Sequence, residues 1–210
     1  MNSGHLEVIS GTMFSGKTDE LLRRLRRVKI GGQSFIVFKP TLDTRSGKNR
    51  IKSYDGSELE AHDISIKKPE EILKILEREE RKLGKTYKVI AIDEVQFFPR
   101  GSMVRDIINS LVTDKDRRVI VAGLDRDFRG EPFGIMPDIL ALADEITKLT
   151  AVCKICGSHE ACFPQRLING KPASYNSPQI LVGWQESYEA RCRKCFVLPS
   201  RPSIKNKRKS

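Results

Sequence analysis

Gly11-Thr12-Met13-Phe14-Ser15-Gly16-Lys17-Thr18 decides the reading of this chain, because it fits the phosphate-binding pattern G-x-x-x-x-G-K-[ST] at every position. Its glycines let backbone N–H groups turn inward around phosphate oxygens. Lys17 can reach the β- and γ-phosphates, and the Thr18 hydroxyl can ligate Mg²⁺. The flanks supply the context that the motif requires. Leu6-Glu7-Val8-Ile9 reads as a strand, and Leu21, Leu22, Leu25 and Val28 recur at helical spacing after Thr18, so the motif stands where strand passes into helix. A helix N-terminus is itself an anion site. A Gly-rich turn that merely precedes a basic helix would leave this context unexplained. A nucleoside triphosphate is therefore the first ligand to expect.

Outward from the motif, strands and helices alternate. Gln33-Ser34-Phe35-Ile36-Val37-Phe38 reads as a second strand after the Gly31-Gly32 break. Residues 41–57 are polar and read as a mobile surface loop, and 69–83 carry Ile72, Leu73, Ile75 and Leu76 at helical intervals. Residues 87–92 and 117–122 are buried-type strands running directly into Asp93-Glu94 and Gly123-Leu124-Asp125. Residues 104–111 and 138–143 read as covering helices, which completes an α/β pattern with a parallel-sheet core. Ligands of open α/β sheets collect at the strands' C-terminal ends, so these carboxylates and the phosphate loop are expected to face one crevice.

From Cys153 the texture changes to Cys, Gly, Pro and short polar segments. The expected division is a nucleotide-binding domain over 1–150, a small domain over 151–198 and a basic tail over 199–210. The chain has 210 residues and a net charge of +11; Arg201, Lys205, Lys207, Arg208 and Lys209 in the tail contribute five of those charges. The remaining excess suits polyanionic nucleotides at least as well as polymers, so no specific nucleic-acid partner is expected. No long apolar run and no apolar leader occur, which points to a cytoplasmic protein without a membrane span.

Asp93 occupies the position from which an Asp after an apolar strand supports Mg²⁺ in phosphate-loop proteins. Glu94 can act as general base for whatever attacks the γ-phosphate: water in an ATPase, a substrate hydroxyl in a kinase. Cys153-Lys154-Ile155-Cys156 and Cys192-Arg193-Lys194-Cys195 form two C-x-x-C pairs, an arrangement that lets four thiolates surround one Zn²⁺. Two disulfides or a redox pair are the alternatives. Four Cys ligands make a structural rather than an open catalytic site, and Cys162 reads as a packing residue. Residues 169–188, between the clamps, are expected to form a lid.

These features together resemble the type II thymidine kinases. The resemblance rests on residues 11–18 with Met13-Phe14 inside the loop, on Asp43-Thr44-Arg45, and on Ile92-Asp93-Glu94-Val95-Gln96-Phe97-Phe98. Further on it rests on Gly123-Leu124-Asp125 followed by Phe128 and Pro132-Phe133-Gly134, and on Lys148-Leu149-Thr150-Ala151-Val152-Cys153. It implies a RecA-like phosphate-loop core and a small zinc-binding domain carrying a lasso-like loop. It also implies a homotetramer, ATP and deoxythymidine as substrates, and feedback inhibition by dTTP. By matching position, Glu94 takes the proton from the nucleoside 5′-hydroxyl and Lys17 stabilises phosphoryl charge. Thr18 and Asp93 hold Mg²⁺, and Asp43, Arg45 and Gln96 join residues 11–18 in binding ATP. The nucleoside falls on Met13, Phe97, Leu124, Phe128 and Tyr188, and on the backbone of Gln179, Ile180, Leu181, Val182 and Gly183.

Three positions depart from the family pattern. Pro164 replaces a Thr before Gln165-Arg166, Trp184 follows Gly183 where a second Gly is common, and Tyr54 stands where a His is frequent. Two other functions fit parts of the chain. A nucleic-acid-stimulated ATPase would use the phosphate loop and the zinc site, and a non-enzymatic zinc module would use only the Cys pairs and the tail.

Overall fold

The computed structural model describes residues 4–43, 47–53, 56–180 and 187–200. Arg45, Leu181, Val182, Gly183, Tyr54, Trp184 and residues 201–210 of the basic tail lie outside the described residues. Apolar runs at 5–11, 35–40, 89–92 and 118–124 become the strands β1 (His5–Gly11), β2 (Phe35–Pro40), β6 (Val89–Ile92) and β7 (Arg118–Leu124). Each is buried on both faces, as continuous rather than alternating apolar sequence requires. With β5 (His62–Ile64) and β8 (Glu145–Leu149) they form a six-stranded parallel sheet in the order β5-β2-β6-β7-β1-β8.

Helices cover both faces. Leu21, Leu22, Leu25 and Val28 of α1 (Lys17–Ile30) pack on Ile9, Val37, Ala91 and Ile120. On the other face α2 (Glu71–Leu83), α3 (Val104–Thr113) and α4 (Met136–Leu142) bury Ile72, Leu76, Ile108 and Ile139 against Val8, Phe38, Ile90 and Val121. The sheet therefore presents its strand ends, but not its faces, to a ligand. No helix among the described residues is long and apolar enough to cross a membrane.

The segment 41–57, expected to be only a surface loop, contains β3 (Arg50–Lys52), which forms a hairpin with β4 (Glu58–Glu60) just beyond it, and Ile51 is fully buried beside α1. Three-residue strands are too short to show a period of two, so one apolar residue among charges in each strand, Ile51 and its cross-strand partner Leu59, is the local sign. The edge strands β5 and β8 likewise lie outside the strands read from the sequence; β8 is the stretch Glu-Ile-Thr-Lys-Leu, with three of its five residues exposed. Beyond β8, β9 (Phe163–Ile168) lies between β10 (Lys171–Pro172) and β11 (Ser187–Arg191) in a small antiparallel sheet. Pro164 is buried in β9 opposite Ala190, at a point where β11 is the one strand beside it, as a strand proline without an N–H requires.

Candidate active site

The loop between β1 and α1 closes on itself. Gly16 adopts the left-handed conformation (φ 80°) at the α1 N-cap, and Lys17 and Thr18 open the helix. Lys17 Nζ donates to the Thr12 carbonyl at 2.7 Å, and Ser15 Oγ donates to the same oxygen at 2.8 Å. Thr18 Oγ1 donates to Asp93 Oδ2 at 3.1 Å, which ties the loop to the end of β6. Asp93 is 2% exposed, and its other oxygen accepts the Glu94 N–H at 2.9 Å. A hydroxyl and a carboxylate at this separation form an oxygen pair suited to Mg²⁺.

Glu94 is buried and sits in the left-handed region at φ 53°, a conformation that a residue with a Cβ holds at a cost of about 1–3 kcal/mol. A short helical turn (Val95–Phe97) follows, and Gln96 within it is 1% exposed. Gln96 Nε2 donates to Glu94 Oε2, and Gln96 Oε1 accepts the Leu124 N–H at 3.0 Å. The carboxamide fits here because Gly123 leaves space: a Cβ there would lie 2.7 Å from Gln96 Oε1 and 2.8 Å from Met136 Sδ.

A cavity of about 630 Å³ opens over these groups. Lys17, Thr18, Asp93 and Glu94 line it together with Gly16, Met13, Phe14, Leu124 and Asp43. Among the described residues singled out for binding, Gly11, Thr12, Ser15, Gln96, Phe97, Phe128, Gln179, Ile180 and Tyr188 do not line this cavity. Gln96 lies beneath it on Glu94. Phe97 meets Phe133 edge-on at 6.0 Å, and Phe128 is 2% exposed with the Arg129 and Arg166 guanidinium carbons 4.9 and 5.0 Å from its ring centre. Tyr188 lies in β11 opposite Arg166, and Asp125 pairs with Lys148 Nζ at 2.8 Å. Lys52 and Ser53 reach the cavity from the β3–β4 hairpin, and nothing in the local sequence of that polar segment distinguished them.

The small sheet brings the Cys pairs together. Cys153 and Cys156 precede β9, Cys192 and Cys195 follow β11, and their sulfurs all lie within 4.8 Å of one another. Cys156 and Cys192 Sγ are 3.8 Å apart. A tetrahedron with Zn–S arms of about 2.3 Å has edges of about 3.8 Å, so the four thiols fit zinc. Burial opposes ionisation of Cys153, but backbone N–H groups of Cys192, Cys156 and Ile155 outweigh it and lower its pKa to about 6. Hydrogen bonding to Cys156 and Cys192 pushes Cys195 up to about 12. Thiols so crowded ionise together only around a cation. All described cysteines are free thiols, and Cys162 stands apart from the four, 3.8 Å from Arg126 Nη1.

A phosphate loop and two carboxylates gathered at the strand ends of a parallel sheet are the arrangement of a P-loop nucleotide-binding enzyme. Comparison with known proteins narrows the class. The family model described as "Thymidine kinase" matches residues 4–196. A thymidine kinase of Coprothermobacter proteolyticus is 51% identical over 198 residues, 94% of this chain and 93% of that one. The chain belongs to the thymidine kinase family, and with it to the ATP-dependent nucleoside kinases.

Two solved structures resemble it far less. A DNA replication initiation factor superimposes with a TM-score of 0.42 at 18% identity over 70% of this chain, which spans 40% of that one. AMPPCP-bound DnaA from Aquifex aeolicus gives a TM-score of 0.41 at 15% identity over 71% of this chain and 42% of that one. Likenesses this distant carry no argument about function.

Proposed function

We propose that this protein transfers the γ-phosphate of ATP to the 5′-hydroxyl of deoxythymidine, and also accepts deoxyuridine. The observation that carries the reading is the shared cavity: Lys17 and Thr18, which suit a triphosphate, face it together with Asp93 and Glu94. Residues 11–18, Asp43 and Arg45 are assigned to the ATP phosphates by the family resemblance. Glu94 is the base that removes the 5′-hydroxyl proton, and Lys17 stabilises charge on the transferred group. Thr18 and Asp93 would hold Mg²⁺, which would supply positive charge against the charge developing on the transferred phosphoryl group. Positioning supplies most of the rate, because phosphoryl transfer leaves little covalent chemistry for the protein.

The nucleoside base is proposed to lie between Met13 and Leu124 and the segment 179–183, with Phe97, Phe128 and Tyr188 forming the wall behind it. Gln96 is proposed to position Glu94 rather than to touch the ATP phosphates, a reading supported by its two hydrogen bonds. The four cysteines hold a structural Zn²⁺. Nucleoside salvage, a homotetramer and feedback inhibition by dTTP complete the proposal, along with a division of the chain near residue 150; the family resemblance supports these.

The decisive assay incubates the protein with Mg·ATP and each nucleoside in turn and quantifies the 5′-monophosphate. Thymidine and deoxyuridine are expected to be phosphorylated. A protein that forms no monophosphate from any pyrimidine nucleoside would overturn the proposal.

A further inference from the structure

Residues 175–180 lead into the segment 179–183 proposed to hold the nucleoside base and include its first two residues, and they are fastened to the loop after β7 by side chains that the reaction itself does not use. Arg129 makes most of the attachment. Its Nε donates to the Tyr175 carbonyl at 2.8 Å and its Nη2 donates to the Ser177 carbonyl at 2.7 Å. These carbonyls lie at a turn closed by the Ser177 N–H on the Ser174 carbonyl at 3.0 Å. The third corner of the guanidinium, Nη1, meets Asp127 Oδ2 at 3.3 Å.

Asp127 is 2% exposed and works in both directions. Oδ1 accepts the Arg129 N–H at 2.8 Å and the Glu131 N–H at 3.2 Å, which shapes its own loop. Oδ2, besides facing Arg129, accepts Gln179 Nε2 at 2.8 Å. Tyr175 adds a bond from its hydroxyl to Glu131 Oε1 at 2.9 Å. Two carbonyls, one side-chain amide and one phenol of a six-residue segment are thus held by a loop that begins at Leu124, on the cavity wall.

We infer that Arg129, buttressed by Asp127, is a positioning residue that latches residues 175–180 in place and thereby sets the affinity for the nucleoside. The inference rests on the proposed thymidine kinase reaction. A fork is needed because the partners diverge: two carbonyls and a carboxylate lie in three directions in one plane, which a guanidinium satisfies and a lysine ammonium does not. The latch touches neither ATP nor the reacting atoms. Its loss therefore weakens nucleoside binding while leaving the phosphate loop and Glu94 as they are.

The test compares the full-length wild-type protein with Arg129→Gln and Arg129→Lys. Hydrogen exchange over residues 173–180 is measured without ligand, and KM and kcat are measured for thymidine and ATP. Arg129→Gln is expected to raise exchange over 173–180 and to raise KM for thymidine by about 10–100-fold, with kcat and KM for ATP within about threefold. Arg129→Lys recovers only part of the loss. Thymidine KM within about twofold of wild type and unchanged exchange would overturn the latch. Should Arg129→Gln fail to fold, Asp127→Asn gives the same readouts, because its Nδ2 would face donors on Arg129 and Gln179. A wild-type protein inactive on thymidine would overturn the function instead, while the exchange comparison still decides the latch.

Discussion

Gln96 lies against Glu94 and donates a hydrogen bond to its carboxylate, while its own carbonyl oxygen accepts the Leu124 N–H. The carboxamide thereby fixes the proposed base relative to a strand end 28 residues away in sequence. Gln96→Leu removes both bonds and is expected to lower kcat by about tenfold with little change in KM for ATP, measured by steady-state kinetics. Gln96→Glu is expected to be worse, because a second carboxylate repels Glu94 at hydrogen-bonding distance.

Glu94→Gln keeps the shape of the side chain and removes its basicity. Turnover is expected to fall by on the order of 10²-fold or more while ATP binding, followed by calorimetry, stays largely intact. Unchanged turnover would remove Glu94 from the mechanism.

Gly134 is placed where a Cβ would overlap the Gln96 backbone oxygen, and at φ 48° it is in the left-handed region. Gly134→Ala is expected to cost at least about 2 kcal/mol, seen as a lowered denaturant midpoint. At Gly123→Ala the three nearest atoms, Gln96 Oε1, Met136 Sδ and Val95 Cγ1, all belong to side chains, so its cost in stability is smaller. Its effect on turnover is the larger of the two, because Gln96 is displaced from Glu94.

Glu7 is buried in β1 and ion-paired with Arg118 and with Arg24 of α1. Burial raises its pKa, and hydrogen bonds from Arg118 and Arg24 outweigh that effect and hold it below the ordinary 4.5. A depressed folded-state pKa contributes stability that is fully present above the unfolded value and is lost as pH falls through the folded one. Glu7→Gln is expected to lower Tm at pH 7 and to flatten the loss of stability below pH 4.5. Equal acid sensitivity of the two proteins in thermal melts would contradict this.

Cys192→Ser removes one corner of the thiol cluster. The wild-type protein is expected to hold about one zinc per chain by elemental analysis, and the variant to lose most of it. Loss of metal should raise hydrogen exchange in β9 and β11 before it does so in β1 or β7, since the clusters of apolar residues under the large sheet do not include the cysteines.

Much of the fold was legible because it is written in short-range spacing. Continuous apolar runs marked the central strands, a 3.6-residue repeat marked α1 and α2, and the strands' endings placed Asp93, Glu94 and Leu124 on one edge. The edge strands β5 and β8 and the β3–β4 hairpin were not legible, since strands of three to five residues with exposed faces carry no such repeat. Phe128 marks the same limit at the site. As an apolar residue after β7 it suits a substrate wall, and only the structure shows it packed between Arg129 of the loop after β7 and Arg166 of β9.

By itself the sequence determined the chemistry on offer: a phosphate cradle with Lys17 and Thr18, the carboxylates Asp93 and Glu94, and four thiols in two C-x-x-C pairs. Each depends on residue type at fixed local spacing, which any reader of the chain can check. Only the tertiary structure decided which side chains serve others rather than a ligand. Gln96 reaching Leu124, and Arg129 reaching Tyr175 and Ser177, are contacts across 28 to 48 residues. They exist because sheet register and loop packing bring distant backbone together, and no local pattern encodes that.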